Sequence, residues 1–513
     1  MIVHIDSTAT VVGEIPSSLA RYISEPSGGV RIVGDRTSSK DVYLWSDGSS
    51  AAVSTDMAAL IEDRRRAGHA MPISEFGTSA LLYSGLVPLP FTVYESVNRL
   101  SSGDVVQISS RNDHLDLSYD VDYPWLESRS TGDRVSDEST LLTLLTAATE
   151  RQLAEVGNRG FLMLSSGKDS PAIALALAEA GLTDIECVTY RSHEDDLEAP
   201  MAADICKRLG LSHSIVDPPS DPETVSAQLT QFFERAPAPG VDLAQIPYVA
   251  ATMSVNDPHG AVLDGGGNDS FMNHEPSAHS RRRLRLRVPS PQVARVMRKT
   301  MHVESRFNYA ARSRQEMGFA GRLPRQRHLD RLLAQPADIE SWWEAQSRET
   351  ASMEVADEFD LVLRRQIHAA QVLLKQKLAS TAIGLDALLP WCDDDVADYY
   401  FNLPRVDRFD IDGRSDKLLL KKMLAKYLDY DADAVGKRYF LFDGASFIQS
   451  NIEFVRAEVE ASPLWEASGQ KLIDGWLTAL PRRPMLHHAL LTVFMMSGWS
   501  NHYLPAVEAL RQR

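Results

Sequence analysis

The sequence predicts an α/β protein with a β-rich N-terminal region, a second region built on a parallel sheet, and a helical C-terminal part. Three observations support this fold class. Short apolar strand patterns fill the first 125 or so residues, strand and helix patterns then alternate, and amphipathic helical patterns dominate from about Pro336. At 513 residues the chain is longer than one core usually serves, so we predict two domains, residues 1–130 and 131–513.

The N-terminal region contains five strand patterns and one helix pattern. The strands are MIVHID, VRIVGD, DVYLWSDG, AAVSTD and VVQISS, and the helix is MAALIEDRRRAG. A longer helix pattern follows in DESTLLTLLTAATERQLAEVG, with Ser136 as the predicted N-cap. That helix is expected to carry the chain into the second domain.

The second region alternates between the two kinds of pattern. FLMLSS, DIECVTY, HSIVD and GAVLDGGGND are strand patterns, while PAIALALAEAG and APMAADICKRLG are helical. This alternation predicts a parallel sheet with right-handed crossovers. RRQIHAAQVLLKQKLAS and SDKLLLKKMLAKYL are the clearest helices of the C-terminal part.

Composition limits the possible functions. The chain is 24% charged and 44% hydrophobic, which is typical of a folded globular protein. Its net charge of −17 argues against nonspecific nucleic-acid binding. Only three cysteines occur, without metal-binding spacing, and no secretory signal or membrane-spanning stretch is found. We therefore expect a cytoplasmic protein without a membrane span or a nucleic-acid partner.

One segment has the opposite charge. Residues 281–327 contain fourteen Lys or Arg residues and only two acids, a net charge of +12. A run of this kind is either a solvated helical face or a docking surface for an acidic or phosphorylated partner.

The strongest local motif is SSGKDS, from Ser165 to Ser170, where a buried strand turns into a helix. Backbone N–H groups and the positive end of a helix hold anions such as pyrophosphate at such a turn. Gly167 allows close approach of the backbone, and Asp169 offers an oxygen ligand suited to Mg²⁺. The alternative is a structural connection in which Ser, Gly and Asp only cap the helix.

A second motif, DGGGND from Asp264 to Asp269, follows the apolar strand AVL. Ligands of open α/β sheets bind at the carboxyl ends of the strands. If the two strands are adjacent in the sheet, Asp169 and Asp269 are placed to share Mg²⁺.

These motifs resemble the synthetase domain of the asparagine synthetase and β-lactam synthetase superfamily, within the PP-loop ATP pyrophosphatases. Further matches are Glu198 at the start of a helix, AIGLDALLPWCDDD, and KLLLKKM followed by GKRYFLFDG. The order of the motifs is preserved from about residue 140 to 455. LLYSGLVPLPFTVYESVNRLSSGDVVQIS also resembles the end of the superfamily's glutaminase-like (Ntn) domain, so the resemblance implies a degenerate Ntn sandwich before the synthetase domain.

The resemblance implies ATP and Mg²⁺ as cofactors and assigns roles to residues. Ser165, Gly167, Asp169 and Ser170 would hold pyrophosphate, Asp169 and Asp269 the metal, and Thr189, Asp264 and Gly265 the base and sugar; Met163 and Lys168 complete the ATP-binding set. For Lys168, contact with a phosphate and exposure to water both remain open. Asp386 would act as general base toward the amine, unless it only caps a turn. Either Lys437 or Arg438 would stabilise the charge formed in adenylation.

Three positions depart from the family pattern. Ile2 replaces the cysteine that a glutaminase of this type needs, so glutamine hydrolysis is not expected. Ser166 replaces the second glycine of the phosphate loop. Gly266 stands where relatives have Glu or the Tyr of a Tyr-Glu dyad, so that dyad is missing.

The combination most resembles a lasso-peptide macrolactam cyclase, whose amine belongs to its own peptide substrate. The expected partner is a precursor or core peptide, with a leader peptidase and a leader-binding protein as further candidates. Two alternatives stay open: a small-molecule amide, β-lactam or ammonia-dependent asparagine synthetase, and a peptide-binding scaffold without turnover.

Overall fold

A computed structural model gives the architecture. It describes residues 1–191, 196–217, 219, 221–255, 258–272, 325–410, 415–435 and 442–509, together with positions 293, 294, 296, 297, 313, 315 and 316.

Two antiparallel sheets form the N-terminal region. The first has the strand order β2-β1-β6-β5-β7 and the second the order β3-β4-β8-β9. Their strands are β1 (Ile2–Ile5), β2 (Val11–Val12), β3 (Ile23–Ser24), β4 (Val30–Val33), β5 (Val42–Ser46), β6 (Ala51–Ser54), β7 (Val97–Leu100), β8 (Asp104–Arg111) and β9 (His114–Val121). Alternation sets the buried face: Val30 and Ile32 are buried in β4, whereas Arg31 between them is exposed. Two helices, α1 (Met57–Arg66) and α2 (Glu75–Ser84), complete this region.

A parallel sheet forms the centre of the second region, as predicted. Its strands are β10 (Gly160–Met163), β11 (Glu186–Tyr190), β12 (His213–Val216), β13 (Ala261–Leu263) and β14 (Asp386–Leu388). Their order is β12-β11-β10-β13-β14, and every pair is parallel. The strands with the two motifs, β10 and β13, are neighbours, so both motifs emerge at one edge of the sheet.

Helices cover this sheet. They are α3 (Glu138–Glu155), α4 (Asp169–Glu179), α5 (Glu198–Leu209), α6 (Pro222–Arg235) and α7 (Gln245–Met253). The predicted N-cap of α3 is wrong by one residue. Asp137, not Ser136, caps the helix, because its carboxylate accepts a hydrogen bond from the Thr140 N–H at 2.8 Å.

The C-terminal part is helical, in agreement with the sequence pattern. Its helices are α8 (Gln326–Leu332), α9 (Ile339–Glu349), α10 (Val355–Phe359), a π-helix (Asp360–Val372), α11 (Leu373–Ala382), α12 (Asp394–Phe401), α13 (Arg405–Arg408), α14 (Leu418–Leu428), α15 (Ala432–Val435), α16 (Gly444–Ser450), α17 (Ile452–Ala461), α18 (Ala467–Ala479) and α19 (His487–Ala509). Of the helices described, none has the length and hydropathy that crossing a bilayer requires.

One large apolar core joins the two regions. Trp45 of β5, Phe161 of β10 and Phe494 of α19 are buried in the same cluster. Polar contacts cross the same boundary: Arg36 forms a bidentate pair with Asp398 at 2.5 Å, and the buried Arg365 pairs with Asp104. The N-terminal region therefore shares its packing with the second region.

Candidate active site

The SSGKDS loop folds around the hydroxyl of Ser165. The Gly167 N–H donates to Ser165 Oγ at 3.2 Å, and Ser165 Oγ lies 3.1 Å from Ser170 Oγ at the start of α4. Ser170 Oγ also accepts from the Ser165 N–H at 3.0 Å. The buried Ser166 donates its hydroxyl to Glu198 at 3.2 Å, which links the loop to α5. These bonds fix a tight turn at the N-terminus of α4, where an anion is favoured.

The DGGGND loop begins with a buried carboxylate. Asp264 accepts hydrogen bonds from the Tyr248 hydroxyl and the Gly266 N–H, each at 2.7 Å, and from the Gln376 side-chain amide. Burial raises the pKa of Asp264 above its ordinary value, although these donors oppose the rise. The carboxylate is therefore held rigidly by α7 and α11 at the end of β13.

The two loops are in direct contact at Gly265. A Cβ atom at this position would lie 2.7 Å from the Ser170 backbone nitrogen and 3.0 Å from its Cα. No side chain fits there, because real Cβ atoms do not approach backbone this closely. The glycine lets the second loop lie against the start of α4.

Three polar side chains from these loops converge on one lysine that sequence reasoning missed. The Lys417 ammonium lies 2.8 Å from Asp169 Oδ1, 2.6 Å from Asp269 Oδ1 and 2.8 Å from Asn268 Oδ1. Asn268 also donates to Asp169 at 2.7 Å. Asp169 and Asp269, a hundred positions apart, thus meet at one point.

Lys417 is almost fully buried and has a left-handed backbone, with φ of 55°. Burial disfavours its charge, but the charges of Asp169 and Asp269 outweigh this effect and raise the pKa of Lys417 above its ordinary value. A buried cation in a sparsely populated backbone region is typical of a functional position. The only sequence signal was its place in KLLLKKM, a stretch that we matched to the family without assigning this lysine a role.

Lys168 is also paired. Its ammonium lies 3.0 Å from Asp416, the residue before Lys417. Burial alone would raise the pKa of Asp416. The positive charges of Lys168 and Lys417 outweigh this effect and lower the pKa below its ordinary value. The site thus contains two lysines and three carboxylates. The carboxylates belong to Asp169 and Asp269 on the two adjoining loops and to Asp416 just before α14.

The family comparison agrees with this geometry. The sequence model of the asparagine synthase family matches residues 140–471, well over half of the chain. The chain belongs to the asparagine synthase family. A search among curated proteins found no significant match. Membership makes the chain an ATP-dependent ligase that forms C–N bonds.

Both loops lie within the part of the chain that matches the asparagine synthase family. Thr189, assigned to the base and sugar, is buried; its hydroxyl donates to the Leu164 carbonyl at 2.9 Å and lies 2.9 Å from His213 Nε2. Met163 ends β10 in the apolar core beneath the loop. Their roles toward ATP remain predictions.

The structure does not bring Asp386, the predicted base, to the two loops. Asp386 is exposed and pairs with Ala261 at the amino ends of β14 and β13. At the other end of these strands the Asp264 N–H donates to the Leu388 carbonyl at 3.1 Å, so the loop edge of the sheet is reached two residues later. A base at Asp386 would act at the wrong end of the strand, and the geometry gives this prediction no support.

Two further predictions concern residues that the structure does not describe. Lys437 and Arg438 lie outside the described residues, as does most of the basic segment 281–327. Their assigned roles stay predictions.

Asp169 and Asp269 have suitable chemistry for Mg²⁺. Their carboxylate oxygens are hard ligands that share one nitrogen partner, and about a third of each side chain is exposed, 32% and 37%. Within the described chain, no group of three or more His, Cys, Asp or Glu residues is arranged to hold a metal. Phosphate or water oxygens would therefore complete the coordination. When bound there, Mg²⁺ would neutralise charge on the departing pyrophosphate.

Proposed function

We propose that this ligase forms AMP and closes a macrolactam ring in a peptide. It would activate a side-chain carboxylate of a precursor or core peptide and join it to the peptide's N-terminal amine. The observation that carries the activation step is the convergence of Asp169, Asp269 and Lys417 between two glycine-containing loops.

The proposed reaction has two steps. A carboxylate oxygen attacks the α-phosphorus of ATP, the bond to the β-phosphate bridge breaks, and pyrophosphate leaves. The amine nitrogen then attacks the acyl carbon, AMP leaves with the electrons of the C–O bond, and the nitrogen loses a proton. Lys417 would balance charge on the phosphates in the first step, because it is a fixed cation whose own side chain is buried.

The choice of a peptide substrate rests on two features of the sequence. No cysteine occurs among residues 1–186, so the N-terminal region offers no thiol nucleophile, which supports an amine supplied by the substrate. The +12 charge of residues 281–327 supports binding of an acidic peptide.

Mass spectrometry tests the proposal. The full chain is incubated with ATP, Mg²⁺, its co-encoded precursor peptide and the partner protease. We expect a peptide lighter by one water, together with AMP and pyrophosphate. Unchanged peptide mass in the presence of active protease would rule out the cyclase.

ATP–pyrophosphate exchange separates the alternatives. Exchange that requires the peptide supports the cyclase, whereas exchange with free aspartate alone supports a small-molecule or ammonia-dependent synthetase. A scaffold would show no exchange with any carboxylate, and its peptide binding would be unchanged in Asp169→Asn.

A further inference from the structure

Tyr430 contacts the SSGKDS loop from the interior of the protein. Its hydroxyl donates a hydrogen bond to the carbonyl oxygen of Ser166, and its side chain is only 7% exposed. The ring lies in the apolar cluster that also contains Ile173 and Leu177 of α4. Neither the sequence motifs nor the proposed reaction assigns this tyrosine a role.

The C-terminal end of α14 places Tyr430 at the loop. Asp429 follows the helix in the left-handed conformation, with φ of 47°, and the Tyr430 N–H donates to the Leu424 carbonyl at 3.3 Å. A cap of this kind ends a helix and turns the chain back across it. At its other end α14 begins after Lys417, whose ammonium contacts Asp169. One helix of 11 residues, about 16 Å long, therefore presents a contact to the loop at each of its ends.

The bond from Tyr430 sets the direction of one backbone N–H group. The Ser166 carbonyl and the Gly167 N–H belong to the same trans peptide, so they point in opposite directions. The carbonyl points to Tyr430, and the N–H points to the other side, where it donates to Ser165 Oγ at 3.2 Å. Ser165 Oγ is also the one atom of the described chain, sequence neighbours apart, within 4 Å of an added Gly167 Cβ. The N–H thus faces an open side of the loop.

Removal of the tyrosine hydroxyl would free this peptide to turn over. Ser166 is fully buried, and a buried carbonyl oxygen without a donor is unfavourable. Gly167 has no Cβ, so the backbone beside the peptide rotates at little steric cost. In the turned peptide the carbonyl oxygen would occupy the side from which the N–H now faces the open loop. An acceptor at that place repels a phosphate oxygen, whereas an N–H donor binds it.

We infer that Tyr430 is a positioning residue for pyrophosphate. It acts through the Ser166 carbonyl and keeps the Gly167 N–H directed at the bound anion. The Ser166 hydroxyl, which donates to Glu198 at 3.2 Å, holds the same residue from its side chain. The role of pyrophosphate at this loop rests on the proposed function, but its binding requires neither a peptide substrate nor ring closure.

Calorimetry with magnesium pyrophosphate on the full chain tests this inference. Tyr430→Phe should weaken binding about tenfold, because only the fraction of molecules with the Gly167 N–H directed at the anion is competent to bind. Tyr123→Phe is the matched control. Tyr123 is 1% exposed in the same apolar cluster, and no partner for its hydroxyl exists within the described residues. In ATP–pyrophosphate exchange, Tyr430→Phe should raise the KM for pyrophosphate about tenfold and leave kcat nearly unchanged, since saturating pyrophosphate restores the competent loop.

NMR on the chain labelled with ¹³C at serine carbonyls and ¹⁵N at glycines observes the peptide itself. The sequence contains six Ser–Gly peptides, one of them Ser166–Gly167. We expect the Gly167 signal to shift when pyrophosphate is added to the wild type, and to differ from the wild type in ligand-free Tyr430→Phe.

Three results would overturn the inference: no pyrophosphate binding to the wild type, equal binding to the wild type and Tyr430→Phe, or equal losses in the two tyrosine variants. Failure of the proposed function would show differently. The peptide mass would then stay unchanged while pyrophosphate still binds and Tyr430→Phe still weakens that binding.

Discussion

Lys417 is the residue on which the active-site geometry depends most. It is the only cation shown in contact with Asp169, Asp269 and Asn268 together within the described residues. It places one fixed positive charge between the two carboxylates that the entering triphosphate would meet. Its burial keeps it in one position, so its electrostatic effect needs no rearrangement when ATP binds.

We expect Lys417→Met to lower ATP–pyrophosphate exchange at least about 100-fold, the size of effect typical of removing one preorganised charge-stabilising donor. Lys422→Met is the matched control on α14, because Lys422 is 55% exposed and its ammonium lies 3.7 Å from the Asp407 carboxylate. Equal exchange rates in the two variants would show that Lys417 has no role in activation. The loss of stability in Lys417→Met should stay below the ~3–5 kcal/mol of a fully buried pair, since water reaches both aspartates.

At the scale of elements, the close contact between the two loops leads to a specific prediction for Gly265. Gly265→Ala should separate the DGGGND loop from α4, because the added methyl would meet the Ser170 backbone nitrogen at 2.7 Å. We expect weaker ATP binding by calorimetry and reduced exchange. Gly475→Ala in α18 is the control: nothing lies within 4 Å of that Cβ, and alanine favours a helix by about 1 kcal/mol. Normal ATP affinity in Gly265→Ala would show that ATP binding does not depend on the close contact between the two loops.

The π-helix carries a carboxylate whose protonation affects stability. Burial raises the pKa of Asp360 to about 7, although Arg364 at 2.9 Å opposes this. The folded state therefore binds a proton that the unfolded state has lost, and stability should fall as pH rises from about 4 to about 7. In urea unfolding at several pH values, Asp360→Asn should remove this part of the pH dependence. An unchanged slope would contradict the assignment.

Some of these elements could be predicted from the sequence and others could not. The strand β10, the SSGKDS turn and α4 could be predicted because the strand pattern, the glycine and the apolar helix pattern are all local signals. The register that places Asp386 at the amino end of β14 could not be predicted from the sequence, because the strand is only three residues long. The role of Lys417 could not be predicted from the sequence either. Its partners Asn268 and Asp169 lie 149 and 248 positions away, and no residue pattern indicates its left-handed backbone.

At the scale of the whole molecule, contacts with the N-terminal region contribute to the stability of the second region. Arg365 of the π-helix and Asp104 of β8 form an ion pair whose side chains are both 4% exposed. Arg365 also donates to the Ser102 carbonyl at 2.9 Å. The N-terminal region thus contributes packing and a buried ion pair to the second region.

Arg365→Met should lower the free energy of unfolding by about 3–5 kcal/mol, because it leaves the Asp104 carboxylate buried and unpaired. Denaturant unfolding measures this, with Arg36→Met as the control, since that pair with Asp398 is about 40% exposed and is expected to contribute ~1 kcal/mol or less. Similar losses in both variants would mean that the buried pair does not anchor the interface.

The central claim is that Asp169 and Asp269 act together with Lys417 to activate a carboxylate with ATP. Peptide-dependent ATP–pyrophosphate exchange by wild type, Asp269→Asn and the exposed control Asp474→Asn tests it most directly. The account predicts exchange in the wild type and the control, and a loss of at least about 100-fold in Asp269→Asn. Exchange in Asp269→Asn at the wild-type rate would contradict it.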